Sequence, residues 1–381
     1  MREALFAALA AKEKEYISFW EDVCNIESPT KDKARVDAAC DYVVRRAESY
    51  GWQVEIDPQP VSGNTVCITM NPDAPGAPIC LSGHMDTVHP VGAFGSPAVT
   101  RDETKIYGPG VCDCKGGVVA GFYAMAALAE IGFTARPVKL ILQTDEEVSS
   151  MISNKSTVEF MCKKGEGCAA FLNLEGAKEG HATIERKGIV GFTLEITGRS
   201  AHSARCTRGA SAVTEAAHKI IALEQYKDDK GLTFNCSLLE GGETRNTVPG
   251  HCSFSVDIRF VDEAQLEQAR EIVKEIAEHT TVEGTSCKVI PLNYRHAMPR
   301  REQNVRLLQQ MNEIWQQNGL SALAEGASVG GSDAADVTVY GLPCVDSLGV
   351  LGGKIHTGEE YALLSSLKEF ATRLALIAMY L

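Results

Sequence analysis

Two histidines and several acidic side chains recur in polar motifs along the chain. The motifs are GHMDTV, GPGVCDCKGG, LQTDEEVSS, LNLEGA and GGKIHTGEEY. Their candidate chemical groups are the side chains of His84, Asp86, Asp113, Glu146, Glu147, Glu175 and His356. Imidazole and carboxylate groups bind catalytic divalent ions, and a surplus of carboxylates suits a pair of ions. The inventory predicts metal-assisted hydrolysis of an amide bond.

Apolar runs precede most of these motifs and indicate how the side chains are positioned. Continuous apolar runs favour strands that are buried on both faces, in a parallel or mixed sheet covered by helices. In such α/β sheets, sites form beyond the carboxyl ends of the strands. We therefore expect the candidate ligands to meet at one edge of a sheet. The runs predicted as strands are 77–83, 137–144, 169–174 and 342–350, and helical patterns cover 118–131 and 305–317.

The pattern changes between about residues 183 and 295. Strands and helices are predicted there in the order β-α-β-β-α-β, which is the ferredoxin-like split unit. The predicted strands are 188–198, 232–242, 251–260 and 286–293, and the helices are 210–224 and 262–279. The sequence thus predicts one domain from 1–182 and 296–381, with a second domain inserted at 183–295.

Each motif also has an ordinary structural interpretation. Taken alone, the His84-x-Asp86 pair suits a surface turn, although alternate residues of an extended segment share a face and Asp86 is then placed to orient the imidazole. Asp113 lies between glycine-rich turns and either bridges two cations or caps the following helix. Glu146 and Glu147 either form an exposed acidic turn or divide metal binding and proton transfer between them. Taken alone, Glu175 suits a surface-loop acid and His356 a loop histidine. Five separate coincidences in one chain are, however, a poor explanation of these motifs.

Composition limits the other classes of function. The net charge of -13 over 381 residues argues against nucleic acid or an anionic membrane as a partner. The N-terminal segment is predicted to be an amphipathic helix rather than a signal peptide. Thirteen cysteines without a CxxC pair favour reduced thiols in the cytoplasm. The spacing of Cys112 and Cys114 disfavours a zinc–thiolate site.

In motif order and content the chain resembles metallopeptidase family 20, the superfamily of zinc aminoacylases and carboxypeptidases. GHMDTV, DCKGG, the Glu-Glu pair and GGSDAA followed by HTGEE carry the resemblance, which extends from about residue 15 to the C-terminus. It implies an α/β fold with a mixed-sheet zinc-peptidase catalytic domain and an inserted ferredoxin-like lid and dimerisation domain. The GGSDAA and VDSLGVLGG segments look closest to glutamate carboxypeptidases.

The resemblance also implies roles for the candidate residues. Two Zn²⁺ ions are expected, with Co²⁺ or Mn²⁺ able to replace them. Asp113 would bridge them, with Glu147 and His356 on one ion and His84 and Glu175 on the other. Glu146 would be the general base and then the acid, and Asp86 would orient His84. The peptide bond after the bridging aspartate is expected to be cis.

In the inserted domain, His202 matches a histidine that reaches the site of a partner subunit and polarises the scissile carbonyl, so a homodimer is expected. Asn246, Arg259 and Arg295 match substrate-binding residues, and Arg295 would hold a substrate carboxylate. The residues themselves leave a structural, salt-bridged role open for both arginines. Further candidates for anion binding are Arg186 and Lys187.

The leading functional hypothesis is a dizinc carboxypeptidase-like amidohydrolase that releases a C-terminal amino acid such as glutamate. The alternatives are an N-acyl-amino-acid deacylase or a small-peptide aminopeptidase of the tripeptidase type. A non-catalytic binding protein on the same fold is a remote alternative, because the base and all ligands are present. Cys112, Cys114 and the Gly108-Pro109-Gly110 segment depart from the family pattern without removing a ligand.

Overall fold

The computed structural model describes residues 1–228 and 231–381. These residues form two compact units. The first unit consists of Met1–Glu185, Arg300–Ala327 and Ser332–Leu381, and the second of Arg186–Pro299 and Ser328–Gly331. The sequence predicted domain boundaries at 182/183 and 295/296. It did not assign the short 328–331 segment to the second domain.

The described residues contain the following α-helices: α1 Arg2–Asn25, α2 Lys33–Ser49, α3 Lys115–Glu130, α4 Ser156–Lys164, α5 Ala212–Glu224, α6 Glu263–Glu278, α7 Glu302–Gln317, α8 Asp333–Tyr340 and α9 Leu364–Tyr380. Two 3₁₀ segments cover Glu146–Val148 and Ser203–Arg208. Among the described residues, every helix is too short or too polar to span a lipid bilayer.

The strands are β1 Gln53–Asp57, β2 Thr65–Met70, β3 Ile79–His84, β4 Thr100–Arg101, β5 Lys105–Tyr107, β6 Val138–Gln143, β7 Ala170–Asn173, β8 His181–Arg186, β9 Gly188–Thr197, β10 Ala201–His202, β11 Thr233–Gly241, β12 Thr247–Val248, β13 His251–Phe260, β14 Ser286–Arg295, β15 Ala324–Ser328, β16 Cys344–Val345, β17 Gly352–Gly353 and β18 Tyr361–Leu363.

A six-stranded mixed sheet is the centre of the first unit. Its strand order is β1-β2-β6-β3-β7-β16, and β6, β3, β7 and β16 run parallel to one another. All residues of β3 and β7 are buried, as the continuous apolar runs predicted. Parallel neighbours place their carboxyl ends at one edge of the sheet. His84 ends β3, and Glu146 and Glu175 follow β6 and β7 at that edge.

The run 342–350 forms much less strand than expected. Only Cys344–Val345 pair with β7, and the prediction of a strand through residue 350 was wrong. Asp346 ends the strand by turning its carboxylate toward Asn173 and Ser332, at 3.0 and 2.8 Å. Ser347 then adopts a positive φ of 62°, which strand pairing does not permit. The chain therefore leaves the sheet well before His356.

Helix α3 lies against the sheet and is buried over most of its length. A Cβ at Gly117 would lie 2.0 Å from the carbonyl oxygen of Leu174, and one at Gly116 would lie 2.2 Å from that of Val111. Only glycine allows such a close approach of two backbones. Gly117 therefore lets the start of α3 lie against the segment that carries Glu175, and Gly116 lets it lie against the preceding loop.

The second unit contains a four-stranded antiparallel sheet in the order β11-β13-β9-β14. The helices α5 and α6 complete the β-α-β-β-α-β order that was predicted. Burial alternates along β13, so that Phe254, Val256 and Ile258 face a separate apolar core. This unit has the ferredoxin-like strand order, and the overall α/β class is the expected one.

Candidate metal centre

The carboxylate of Asp113 faces a different histidine with each of its two oxygens. Its Oδ1 lies 3.0 Å from Nε2 of His84, and its Oδ2 lies 3.1 Å from Nε2 of His356. The Asp113 side chain is 9% exposed and that of His84 is 1% exposed, whereas His356 is about half exposed. One buried carboxylate is therefore shared by two imidazoles, one deep and one open to solvent.

A second carboxylate accompanies each histidine. Oε2 of Glu147 lies 3.1 Å from Nε2 of His356, and Oε1 of Glu175 lies 3.8 Å from Nε2 of His84. His84, Asp113 and Glu147 also have ligand atoms close enough to one another for a single ion. The five side chains thus form two donor groups that share Asp113.

The acids of this cluster repel one another. Burial and the charge of Asp113 raise the pKa of Glu147 to about 7, although the hydrogen bond from His356 acts the other way. Burial and the same charge raise the pKa of Glu175 well above its usual range. Hydrogen bonds to Asp113 and Glu147 raise the pKa of His356 to about 10. The protein has gathered more negative charge here than its own imidazoles neutralise.

Asp86 holds two of the segments together. Its carboxylate lies 3.4 Å from Nδ1 of His84 and accepts hydrogen bonds from the amides of Glu146 and Glu147, both at 3.2 Å. The hydroxyl of Thr30 donates a further hydrogen bond to it at 2.8 Å. Asp86 is fully buried, so these donors satisfy a charge that has no access to water. It links the end of β3 to the Glu146–Val148 turn.

The loop before α3 fixes the backbone of Asp113. The Asp113–Cys114 peptide bond is cis, as the resemblance implied. Asp113 does not cap α3, since Cys114 occupies the N-cap and makes no side-chain capping bond. The Sγ of Cys114 instead accepts a hydrogen bond from the amide of His84 at 3.0 Å. Cys112 is buried, with its thiol 3.9 Å from the carbonyl oxygen of Val350.

Sequence reasoning missed Glu360. This carboxylate is 1% exposed and accepts hydrogen bonds from the amides of Cys112 and Asp113 at 2.9 and 3.0 Å. It also lies 3.0 Å from Nε2 of His89. The available signal was its position four residues after His356 in HTGEEY, but nothing in the sequence distinguishes it from its exposed neighbour Glu359.

In the second unit, His202 and Asn246 come together at a short two-stranded ribbon. β10, which ends at His202, pairs antiparallel with β12, which begins directly after Asn246. The amide of Ser203, at the start of the 3₁₀ segment that follows β10, donates a hydrogen bond to the carbonyl oxygen of Asn246 at 2.9 Å. His202 and Asn246 are both exposed. Two residues that are remote in the sequence therefore lie close together at the surface of this unit.

The basic candidates of the second unit lie in different surroundings. Arg295 ends β14 and is 2% exposed, whereas Arg259 is partly exposed and pairs with Asp257 at 2.7 Å. Nη1 of Arg186 donates to the carbonyl oxygen of Gly330 at 3.1 Å. Nζ of Lys187 donates to the carbonyl oxygen of Gly231 at 2.9 Å. Arg186, Arg259 and Lys187 thus have protein partners within their own unit.

The donor set of the first unit fits a metal centre. Mixed imidazole and carboxylate ligands are those that zinc accepts in catalytic sites. The raised pKa values of Glu147 and Glu175 are those of buried acids whose negative charge the neighbouring imidazoles compensate only in part. His84, Asp113, Glu147, Glu175 and His356 would hold the metal, and the fold and this site together define a metal-dependent hydrolase.

Comparison with known proteins gives the class more closely. Residues 184–285 match the peptidase dimerisation domain of the M20 family. Carboxypeptidase G2 from Pseudomonas sp. (strain RS-16) is 25% identical over 369 residues, covering 95% of this chain and 88% of that protein. Acetylornithine deacetylase from Myxococcus xanthus is 27% identical over 257 residues, covering 62% of this chain and 65% of that protein.

Solved structures have the same fold over nearly the whole chain. A tripeptidase from Staphylococcus aureus superposes with a TM-score of 0.80 at 21% identity, covering 96% of this chain and 97% of the other. An M20 family metallo-carboxypeptidase from Sulfolobus solfataricus has a TM-score of 0.73 at 15% identity, covering 96% and 99%. The predicted resemblance is confirmed, and the chain is an enzyme that is similar to M20 metallopeptidases and amidohydrolases.

Proposed function

We propose that the chain is a dizinc amidohydrolase that cleaves the amide bond next to a C-terminal amino acid, in the manner of a glutamate carboxypeptidase. The observation that carries the dinuclear centre is the placement of Asp113, whose two oxygens lie 3.0 and 3.1 Å from two different histidines. A carboxylate with a separate partner at each oxygen is suited to bridging two ions. Glu147 and His356 would complete one ion's ligands, and His84 and Glu175 the other's.

Bound zinc supplies Lewis acidity, which makes water acidic enough to react near neutral pH and polarises the scissile carbonyl. Glu146 takes the proton from the attacking water and then gives it to the leaving amine. Its carboxylate is close enough to Glu147 and Glu175 for its charge to raise the pKa of both. Asp86 holds the amide of Glu146 at 3.2 Å, which fixes the turn that carries the base.

His202 is proposed to stabilise the oxyanion by donating a hydrogen bond to it, from one subunit of a homodimer to the site of the other. Its exposed position beside Asn246 leaves it accessible to a substrate or a partner subunit. The match of residues 184–285 to the M20 dimerisation domain supports the dimer. Light scattering on the purified enzyme tests it, and a fully active monomer would exclude the action of His202 in a partner's site.

Substrate recognition is assigned to Asn246, Arg259 and Arg295, with Arg295 holding the substrate carboxylate. The similarity to carboxypeptidase G2 over 95% of the chain favours release of a C-terminal amino acid, and the shorter match to acetylornithine deacetylase keeps the deacylase alternative.

Cytoplasmic localisation is supported by the cysteines, since all thirteen lie among the described residues and none is in a disulfide.

A panel of substrates tests the function. The panel contains acyl-glutamates and folate-like amides, acyl-ornithine, succinyl-diaminopimelate and free-amino tripeptides, each with added zinc and with a chelator. We expect chelator-sensitive release of C-terminal glutamate. Cleavage of acyl-ornithine alone would replace the carboxypeptidase assignment with a deacylase, and chelator-insensitive cleavage would exclude the dizinc mechanism.

A further inference from the structure

Glu360 is a buried carboxylate that lies outside the proposed ligand set. It is 1% exposed, which requires that its charge be met by hydrogen-bond donors. Oε1 accepts from the amides of Cys112 at 2.9 Å and Asp113 at 3.0 Å. Oε2 lies 3.3 Å from the amide nitrogen of Gly110 and 3.0 Å from Nε2 of His89. Three amides of one loop and one imidazole thus surround a single side chain.

These contacts connect three segments that carry proposed ligands. His89 follows the His84 and Asp86 segment at the end of β3, and the amides belong to the loop that carries Asp113. Glu360 itself is four residues from His356. Hydrogen bonds from backbone N–H groups to a carboxylate are charge-assisted and directional. They fix the backbone of Asp113, from which its carboxylate reaches the two histidines.

The neighbouring structure confines this loop from another side. Gly110 has a positive φ of 75°, and a Cβ there would lie 3.1 Å from the Thr87 side chain and 3.2 Å from that of Lys115. The backbone is thus held between these neighbours and Glu360. Asp86 has the corresponding arrangement for the turn of Glu146 and Glu147, whose amides it accepts.

We propose that Glu360 is a positioning residue of the metal centre, which holds Asp113 in the orientation that lets it bridge two ions and couples that orientation to the His356 segment. The inference rests on the proposed dinuclear centre and extends it to a residue that binds neither metal nor substrate. Partners of this kind, which orient metal ligands, contribute about 10–100-fold to metal affinity or activity.

The test compares Glu360→Gln and Glu360→Ala with the wild-type enzyme. Affinity for zinc is measured by competition with a chromophoric chelator, and ligand geometry by the visible spectrum of the cobalt-loaded protein. We expect the alanine variant to lose about 10–100-fold in affinity for at least one ion and to have an altered cobalt spectrum. The glutamine variant keeps one acceptor oxygen for the amides of Cys112 and Asp113, so we expect it to recover part of the loss.

Glu215→Gln is the matched control. Glu215 is also 1% exposed and also accepts backbone amides, those of Thr281 and Val282, but it lies in the second unit. Its replacement should lower stability without changing zinc affinity or the cobalt spectrum. If Glu360→Ala behaves like this control, with a lower Tm and wild-type zinc affinity and cobalt spectrum, Glu360 is a structural loop residue and the proposal is wrong.

A milder variant keeps the test informative if Glu360→Ala does not fold. His89→Leu removes one partner of Glu360 and leaves the three amide hydrogen bonds in place. We expect a smaller loss of zinc affinity in the same direction, and wild-type affinity together with an unchanged cobalt spectrum would overturn the coupling. Wild-type protein that binds no zinc would instead reject the proposed function itself, so the two failures are distinguishable.

Discussion

The two units bury ionised groups in opposite ways. In the second unit, Glu215 pairs with Lys219 at 2.9 Å and accepts the amides of Thr281 and Val282, while Lys219 also donates to the carbonyl oxygen of Ile276 at 2.7 Å. One buried acid is paired with one buried base, and backbone groups provide their remaining hydrogen bonds. In the first unit, several acids surround two imidazoles at the sheet edge: Asp86, Asp113, Glu146, Glu147 and Glu175 with His84 and His356.

The pKa values follow from this difference. Burial raises the pKa of Glu215, but the amide of Val282 and the ammonium group of Lys219 outweigh it and lower the pKa below its usual value. Burial and unbalanced negative charge raise the pKa of Glu147 to about 7. A buried charge whose partners are all in the protein is balanced within the fold, whereas a surplus of one sign indicates a place for an ion.

Replacement of Asp113 by Asn is the largest expected effect, because it removes the charge that the two donor groups share. We expect the Asp113→Asn protein to lose bound zinc from both positions and to have no activity above background. Metal content after gel filtration, measured by plasma mass spectrometry, checks this. Asp102→Asn is the control: Asp102 accepts hydrogen bonds from the amides of Thr104 and Lys105, and this variant should keep its metal. Retention of both ions by Asp113→Asn would contradict the bridging role.

Replacement of Glu146 separates chemistry from metal binding. Glu146→Ala should retain both ions yet lose about 10²–10⁴-fold in kcat, the usual scale of general acid–base catalysis. Steady-state kinetics and metal content are measured on the same preparation. His356→Ala provides the contrast, since it should lose metal as well as activity. Near-normal turnover by Glu146→Ala would remove this residue from the mechanism.

Removal of metal should destabilise the first unit and leave the second unchanged. An ion that binds only the folded protein stabilises it by about 2.7 kcal/mol at 100 times its Kd. Differential scanning calorimetry with and without chelator measures the shift. We expect the Tm of the first unit to fall on chelation and to return when zinc is added back. An unchanged Tm would mean that the acid surplus is not compensated by an ion.

The smallest expected effect concerns the buried ion pair of Glu215 and Lys219 in the second unit. Glu215→Gln should lower the free energy of unfolding by about 2 kcal/mol at neutral pH, the scale for a buried group left without its partner, while kcat and metal content stay unchanged. The folded-state pKa of Glu215 is depressed, so its contribution is present above its ordinary pKa and is lost as pH falls through the folded value. The difference between variant and wild type should therefore shrink in acid, as chemical denaturation at each pH would show. A constant difference would exclude ionisation of Glu215 as its source.

Much of this arrangement follows from the sequence alone. Continuous apolar runs predicted the buried strands β3, β6 and β7, because a strand covered on both faces has no solvent-facing side that would carry polar residues. His84, Glu146 and Glu175 follow those runs, so their gathering at one sheet edge was a consequence of parallel pairing. Alternating and helical periodicity predicted the ferredoxin-like order of the second unit. These are local patterns that each segment carries by itself.

Only the tertiary structure decided which partner each carboxylate contacts. Asp113 and Glu360 are 247 residues apart, and no local pattern indicates that one accepts the amide of the other. The strand predicted through residue 350 failed for the same reason, since Asp346 turns toward Asn173 and Ser332 from other segments. Sequence determines which groups are available and which elements carry them. Hydrogen bonds and ion binding depend on distances of about 3 Å between groups of remote segments, and only the folded structure sets those distances.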